Sequence, residues 1–151
     1  MELAIGDMIP DFTLSDQNGD AFSLRDFLGS KPLVIFFYPK DFTPGCTKEV
    51  CDFRDHYEDF VQYGAEVVGI SNDSSRSHRF FANTFKLPFK LLSDPGGQVR
   101  TKFGIKKSLM NLLPGRETFV VDKQGKLILA FRSAAAAKHM KQALEAVKNL
   151  N

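Results

Sequence analysis

The chain has 151 residues, 43% of them hydrophobic, and twenty Lys and Arg stand against eighteen Asp and Glu for a formal charge of +2. That length suits one domain, residues 1–151, with an ordinary core, and two cysteines are too few for a disulfide scaffold. With no block of like charges and no apolar run near the ~18 residues of a membrane span, neither nucleic acid nor a membrane is expected as a partner.

The start, Met1-Glu2-Leu3-Ala4-Ile5-Gly6-Asp7, lacks the basic-then-apolar pattern of a secretory signal. The sequence therefore reads as cytoplasmic, or as plastid if a transit peptide has been removed. Asp11-Phe12-Thr13-Leu14 and Ala21-Phe22-Ser23-Leu24 alternate in polarity around a turn through Asn18-Gly19, which predicts a β-hairpin with a longer loop than the two-residue type. Arg25 to Gly29 reads as one helical turn. The β-branched and aromatic run Leu33–Tyr38 predicts a buried strand, and the Pro/Gly cluster Pro39 to Gly45 a turn. Cys46 then opens a helix. Val50, Phe53, Tyr57, Phe60 and Val61 recur every three or four residues on one face, so Cys46 to Phe60 should form a largely continuous helix ended by Gly64.

Ala65 to Ser71 is apolar almost throughout, as the interior of a parallel sheet requires. Asn72 to Ser75 supply helix caps, Phe80, Phe81, Ala82 and Phe85 begin the next apolar face, and Leu87-Pro88 stops it. Phe89–Ser93 reads as a strand. Asp94-Pro95-Gly96-Gly97 is a turn before a short helix that turns Val99 and Phe103 inward and ends near Gly104. Lys106–Leu113 fits either a short helix or an apolar loop beside the site. Glu117–Asp122 and Leu127–Phe131 form the plainest hairpin, and Ala134 to Leu150 the plainest helix, with Met140, Ala143, Leu144 and Val147 as its stripe. This order of elements is that of a thioredoxin-like α/β domain with a central mixed sheet flanked by helices.

Cys46 stands where a strand, a turn and a helix start converge. A thiolate there faces unpaired backbone N–H groups and the positive end of the helix dipole, which should lower its pKa below the free value of about 8.5 and make it a nucleophile rather than a small buried hydrophobe. For Cys51 the residues alone leave both readings open. On an intact helix the two cysteines are separated by a rise of about 7.5 Å and turned apart by about 140°, so a bond between them needs the first turns to unwind. Metal binding is the rival use, with Cys46, Cys51 and His56 joined by His78 or His139, but the C-x4-C spacing suits a structural zinc poorly. The three histidines are read as partly exposed helix residues, and no metal or cofactor is expected.

Pro39-x-x-x-Thr43-x-x-Cys46 resembles the active-site motif of the peroxiredoxins. The second cysteine in Pro-Gly-Cys46-Thr-Lys-Glu-Val-Cys51-x-Phe-Arg-Asp is similar to their bacterioferritin-comigratory-protein/PrxQ subgroup, and the likeness extends from Asp11-Phe12-Thr13-Leu14 to Pro114-Gly115-Arg116-Glu117-Thr118. The resemblance implies a thioredoxin-like fold with an added N-terminal hairpin, which residues 11–24 would supply. It implies a thiol peroxidase in which Cys46 attacks hydrogen peroxide or an organic hydroperoxide and Cys51 resolves the sulfenic acid as an intramolecular disulfide. Thioredoxin or a similar dithiol would recycle it. Arg116 would be the active-site cation, Thr43 would contact the thiolate and the bound peroxide, Pro39 would shield the pocket, and Glu49 would hold Arg116. A monomer suffices for an internal resolving cysteine, and a dimer stays open. Asn72 stands where the family often has proline, and Phe103 where it has tryptophan. A thioredoxin-type thiol–disulfide oxidoreductase would favour C-x-x-C instead, and a binding module on the same fold would leave Cys46 unreactive.

Overall fold

Alternation along the third strand divides the core. The computed structural model describes residues 3–105 and 115–150. In β3 (Leu33–Phe37) every residue is buried, which marks a strand covered on both faces. Val34 and Phe36, with Tyr38 just beyond, join one apolar cluster, and Leu33, Ile35 and Phe37 join the other. A period of two thus sends Tyr38 to the same side as the cysteine helix.

The N-terminal hairpin is β1 (Thr13–Ser15) with β2 (Ala21–Ser23), and the remaining strands are β4 (Glu66–Ser71), β5 (Lys90–Ser93), β6 (Glu117–Val121) and β7 (Leu127–Arg132). They make a seven-stranded sheet in the order β2-β1-β5-β4-β3-β6-β7. β3 runs parallel to β4, with Val34 opposite Val67, and antiparallel to β6, with Ile35 opposite Phe119. β4 and β5 are parallel, and β1 meets β5 antiparallel at Ser15 and Ser93. The sheet is mixed, as the element order implied, and the hairpin lies at its edge. Gly69 at the middle of β4 is required by packing, because a Cβ there would sit 2.7 Å from Phe36 Cζ and 2.9 Å from Leu91 Cδ2.

The helices are α1 (Pro44–Asp55), α2 (Tyr57–Gln62), α3 (Ser75–Phe85), α4 (Gln98–Lys102) and α5 (His139–Lys148). Val50 and Phe53 of α1, Phe60 of α2, Phe81 of α3 and Met140, Ala143 and Val147 of α5 all pack into the Phe36 side. Phe53 stacks on Phe36 at 4.4 Å between centroids. Full burial of one such ring contributes about 1.5–3 kcal/mol. Val99 and Phe103 turn to the opposite face, as their spacing predicted.

Four expectations from periodicity need correction. Cys46 to Phe60 is not one helix: at His56 the backbone leaves helical geometry (φ −112°, ψ 11°), and the ring Nδ1 donates to the Asp52 carbonyl at 3.1 Å in competition with the regular ladder. The break keeps Phe60 buried and turns Val61 out, 46% exposed. In α3, Phe80 is 67% exposed, because the buried stripe runs through His78, Phe81 and Ala82. The last α-helix begins at His139, preceded by a 3-10 turn at Ala136–Lys138, so Ala134 and Ala135 stand outside it. Finally, His78 and His139 are not partly exposed but fully buried. The segment Lys106–Leu113 lies outside the described residues, as does Pro114.

Candidate active site

The loop between β3 and α1 is pinned from below. Asp41 is buried, and its backbone N–H donates to Asp73 Oδ2 at 2.8 Å. Its carboxylate accepts from Tyr38 Oη at 2.6 Å and Ser77 Oγ at 2.8 Å, and lies 2.8 Å from His78 Nδ1. His78 Nε2 donates to the Leu92 carbonyl at 3.0 Å. Burial first, and the Asp41 carboxylate second, hold the Tyr38 phenol far above its ordinary range, so it remains a donor. Phe42 follows with φ 66°, a left-handed conformation that costs a non-glycine residue on the order of 1 kcal/mol. Its ring is set against Phe81 at 4.8 Å. The reversal at Phe42 delivers Thr43 as N-cap and Pro44 as the first helical residue, where proline is pre-organised.

Cys46 therefore sits in the first turn of α1, 1% exposed and unpaired. Thr43 gives no side-chain cap: its hydroxyl donates to the Lys40 carbonyl at 2.9 Å. The first-turn N–H groups are therefore left without a side-chain acceptor among the described residues. Arg116, directly before β6, reaches across the strand end. Its Nη2 lies 3.4 Å from Cys46 Sγ and its Nη1 2.6 Å from Glu49 Oε1. Gly45 makes this approach possible, because a Cβ there would stand 3.1 Å from Arg116 Nη2. Burial opposes the guanidinium charge, but Glu49 and the Cys46 sulfur outweigh it and hold Arg116 protonated above its ordinary value.

The structure thus brings together Cys46, Arg116 and Glu49. Pro39 is half-buried at the end of β3, at the head of the same loop. Cys51 lies farther along α1, half-buried and unbonded, and burial pushes its thiol up despite the pull of Arg54. Neither cysteine joins a metal-like group: among the described residues the one cluster with three converging ligand atoms is Asp41, Asp73 and His78. Those atoms are already engaged in the hydrogen bonds given above, and Cys46, Cys51 and His56 do not converge with one another or with His78 or His139 into such a cluster.

Sequence reasoning missed Asp41, His78, His139, Thr118 and Arg100. Arg100 is buried, donates through Nη2 to the Tyr38 carbonyl at 2.9 Å and through Nη1 to the Gly115 carbonyl, and so ties the residues before Pro39 and Arg116 to one guanidinium. Burial lowers it to about 10, against the pull of Asp94 and Glu117. The available signal for the histidines was helical spacing, since His78 precedes Phe81 by three and His139 precedes Ala143 by four. Breaking the Asp41–His78 pair by His78→Ala should cost about 3–5 kcal/mol, because a buried carboxylate loses one of its three side-chain partners. Urea unfolding measures it, and a loss below about 1 kcal/mol would put the pair in the class of exposed bridges.

A buried thiol with a guanidinium fixed beside it, at the head of a helix in a thioredoxin-like sheet, is suited to attack on an electrophile whose leaving group gains negative charge. Residues 5–130 match the profile of the AhpC/TSA family. The chain belongs to that family, the peroxiredoxins. It is 51% identical over 146 residues to peroxiredoxin Q, chloroplastic, of Sedum lineare, a match that takes in 96% of this chain and 78% of that protein. Among solved structures, peroxidoxin BcpB from Mycobacterium tuberculosis superposes with a TM-score of 0.92 at 38% identity, covering 99% of both chains. The bacterioferritin comigratory protein of Xanthomonas campestris gives 0.86 at 35% identity over 92% of this chain and 91% of that one. This peroxiredoxin is thus of the PrxQ/bacterioferritin-comigratory type, and its activity is that of a thiol peroxidase.

Proposed function

We propose that Cys46 is the peroxidatic residue, Cys51 the resolving one, and Arg116 the cation that serves the first step. The 3.4 Å contact between Arg116 Nη2 and Cys46 Sγ carries this reading. The Cys46 thiolate attacks the outer peroxide oxygen, the O–O bond breaks, and the hydroxide or alkoxide takes up a proton while Cys46 becomes a sulfenic acid. Arg116 stabilises the charge that develops. Pro39 shields the pocket at the loop, Thr43 contacts peroxide by its acceptor lone pairs, and Glu49 holds the guanidinium. The Cys51 thiolate then displaces hydroxide from the Cys46 sulfur, water is released, and a disulfide forms.

Both thiols lie on α1, so the disulfide needs that helix to open. The break at His56 gives the opening a boundary. Opening also relieves the burial that keeps the Cys51 thiol protonated. A dithiol such as thioredoxin reduces the exposed bond and returns the chain to the start; one domain and a monomer suffice. The Xanthomonas campestris relative is described with alkyl peroxide reduction activity, and we assign alkyl hydroperoxides together with hydrogen peroxide here. The cytoplasm, or the chloroplast named for the Sedum relative, would supply the reductant.

Intact mass after stoichiometric hydrogen peroxide tests the pairing. The wild type should lose the mass of two hydrogen atoms, whereas Cys51→Ser should retain an added oxygen and overoxidise as peroxide rises. Amide exchange should increase in α1 on oxidation and stay low in β3 and β4. An oxidised protein with α1 unchanged, or undiminished thioredoxin-dependent cycling in Cys51→Ser, would sink the scheme.

A further inference from the structure

Behind Arg116 lies a second buried pair that the peroxidase scheme does not use. Glu49 is 0% exposed, and its Oε1 accepts from Arg116, but its Oε2 has no hydrogen-bond partner among the described residues. That oxygen lies 3.5 Å from His139 Nδ1. The ring orientation is settled on its far side, where Nε2 is 2.7 Å from the Ser133 carbonyl and must donate to it. In the neutral ring Nδ1 is then an acceptor, and the Thr118 hydroxyl donates to it at 2.8 Å. Were Glu49 ionised and His139 neutral, a carboxylate lone pair would face an imine lone pair between two side chains closed off from bulk solvent. One proton on either atom removes the conflict.

We propose that Glu49 and His139 hold one proton between them, and that this proton decides how much of the Arg116 charge acts on the Cys46 sulfur. When it is present, Oε1 still accepts from Arg116 as the carbonyl oxygen of a neutral acid, Oε2–H shares the one Nδ1 lone pair of His139 with the Thr118 hydroxyl, and the guanidinium keeps a full net charge beside the thiolate. When it leaves, the carboxylate neutralises that charge from behind. His139 is in this sense a positioning residue.

The surroundings agree on where the proton rests. Burial raises Glu49 to about 8, against the downward pull of Arg116, with Asp52 of its own helix pushing the same way as burial. Burial lowers His139, Ser133 opposes it and Arg116 adds to it. The other groups facing the pair are the Cys46 sulfur beyond Arg116, Thr118 of β6 and the Phe131 ring of β7, edge-on to His139 at 4.9 Å. No second carboxylate among these competes for the proton from β6 or β7.

The sign follows directly. Below the Glu49 value the pair is loaded and Arg116 acts fully; as pH rises through it, the proton is lost and attack slows. The second-order rate of reduced wild type with hydrogen peroxide, by stopped flow, should therefore climb with thiolate formation and then fall up to about tenfold between about pH 7 and about pH 9. Glu49→Gln places a permanent N–H toward His139 and an oxygen toward Arg116, so its profile should lose the falling limb whatever its absolute rate. In wild type alone, the nitrogen NMR shift of His139 Nδ1 should titrate with the same midpoint as the limb. The NMR arm needs no peroxide and no variant, so it separates this inference from the role given to Cys46, on which the kinetic arm rests. A falling limb retained in Glu49→Gln, a wild type with no limb in that range, or a His139 Nδ1 signal that does not move across it would each overturn the proposal.

Discussion

Cys46→Ser is expected to leave no more than a trace of peroxide consumption while the fold survives. The site argues for so complete a loss. Attack on an O–O bond needs an anionic nucleophile, and an ordinary thiol, near ~8.5, is already close to ionising at neutral pH. A hydroxyl starts near the ~15.7 of water. A well-placed donor in a dry pocket is worth about 3–4 kcal/mol, which at 1.36 kcal/mol per pKa unit is about 2–3 units, far short of what the serine would need. The fold should tolerate the change because Sγ is one atom at the rim of a cluster held by Val50, Phe53 and Phe36. Circular dichroism checks the fold and hydrogen peroxide consumption checks the chemistry. A folded serine variant with substantial turnover would move the nucleophile elsewhere.

How far the sequence foretold this arrangement differs by element. Strands and hairpins were legible because each is a local pattern: β3 is continuously apolar, and β6 and β7 flank a Gly-containing turn. Cys46, Arg116 and Glu49 were legible through the motif, which spacing alone could not have joined, since Arg116 and Cys46 stand seventy residues apart in the chain and meet only because β3 and β6 are neighbours. The buried histidines were hidden for a different reason. Hydrophobic periodicity counts a histidine as polar, so the stripe of α3 was assigned to Phe80, when His78 fills that place by satisfying both ring nitrogens at once. A polar residue enters a core when its partners are already there, and those partners, Asp41 and the Leu92 carbonyl, lie in other elements. The kink at His56 was equally invisible, because it depends on one side chain bonding back to its own helix.

Arg116→Ala should slow peroxide attack by about 10²–10³-fold, the cost of removing a donor aimed at developing charge, while reduction of the disulfide by an external dithiol changes little. The asymmetry has a structural origin. In the reduced protein the guanidinium touches the sulfur that attacks, but the oxidised form is expected to have α1 opened, with the sulfur drawn away from Arg116 toward Cys51. The alanine has a second consequence, since Glu49 Oε1 loses its partner in a site with no exposure, and severing a buried ion pair costs about 3–5 kcal/mol when the remaining charge stays. With its value raised to about 8, Glu49 holds a proton at neutral pH and is left as a neutral acid. The fold should therefore lose less than that figure, and the rate loss can be read from a folded enzyme. Arg116→Lys refines the point: it restores a charge but not the fork that spans Glu49 and Cys46, so its rate should fall between wild type and alanine. Stopped-flow kinetics of the reduced proteins separate these cases. If the alanine variant attacks peroxide at the wild-type rate, the 3.4 Å contact is bystander geometry, and stabilisation of the leaving oxygen must come from the first-turn N–H groups of α1 instead.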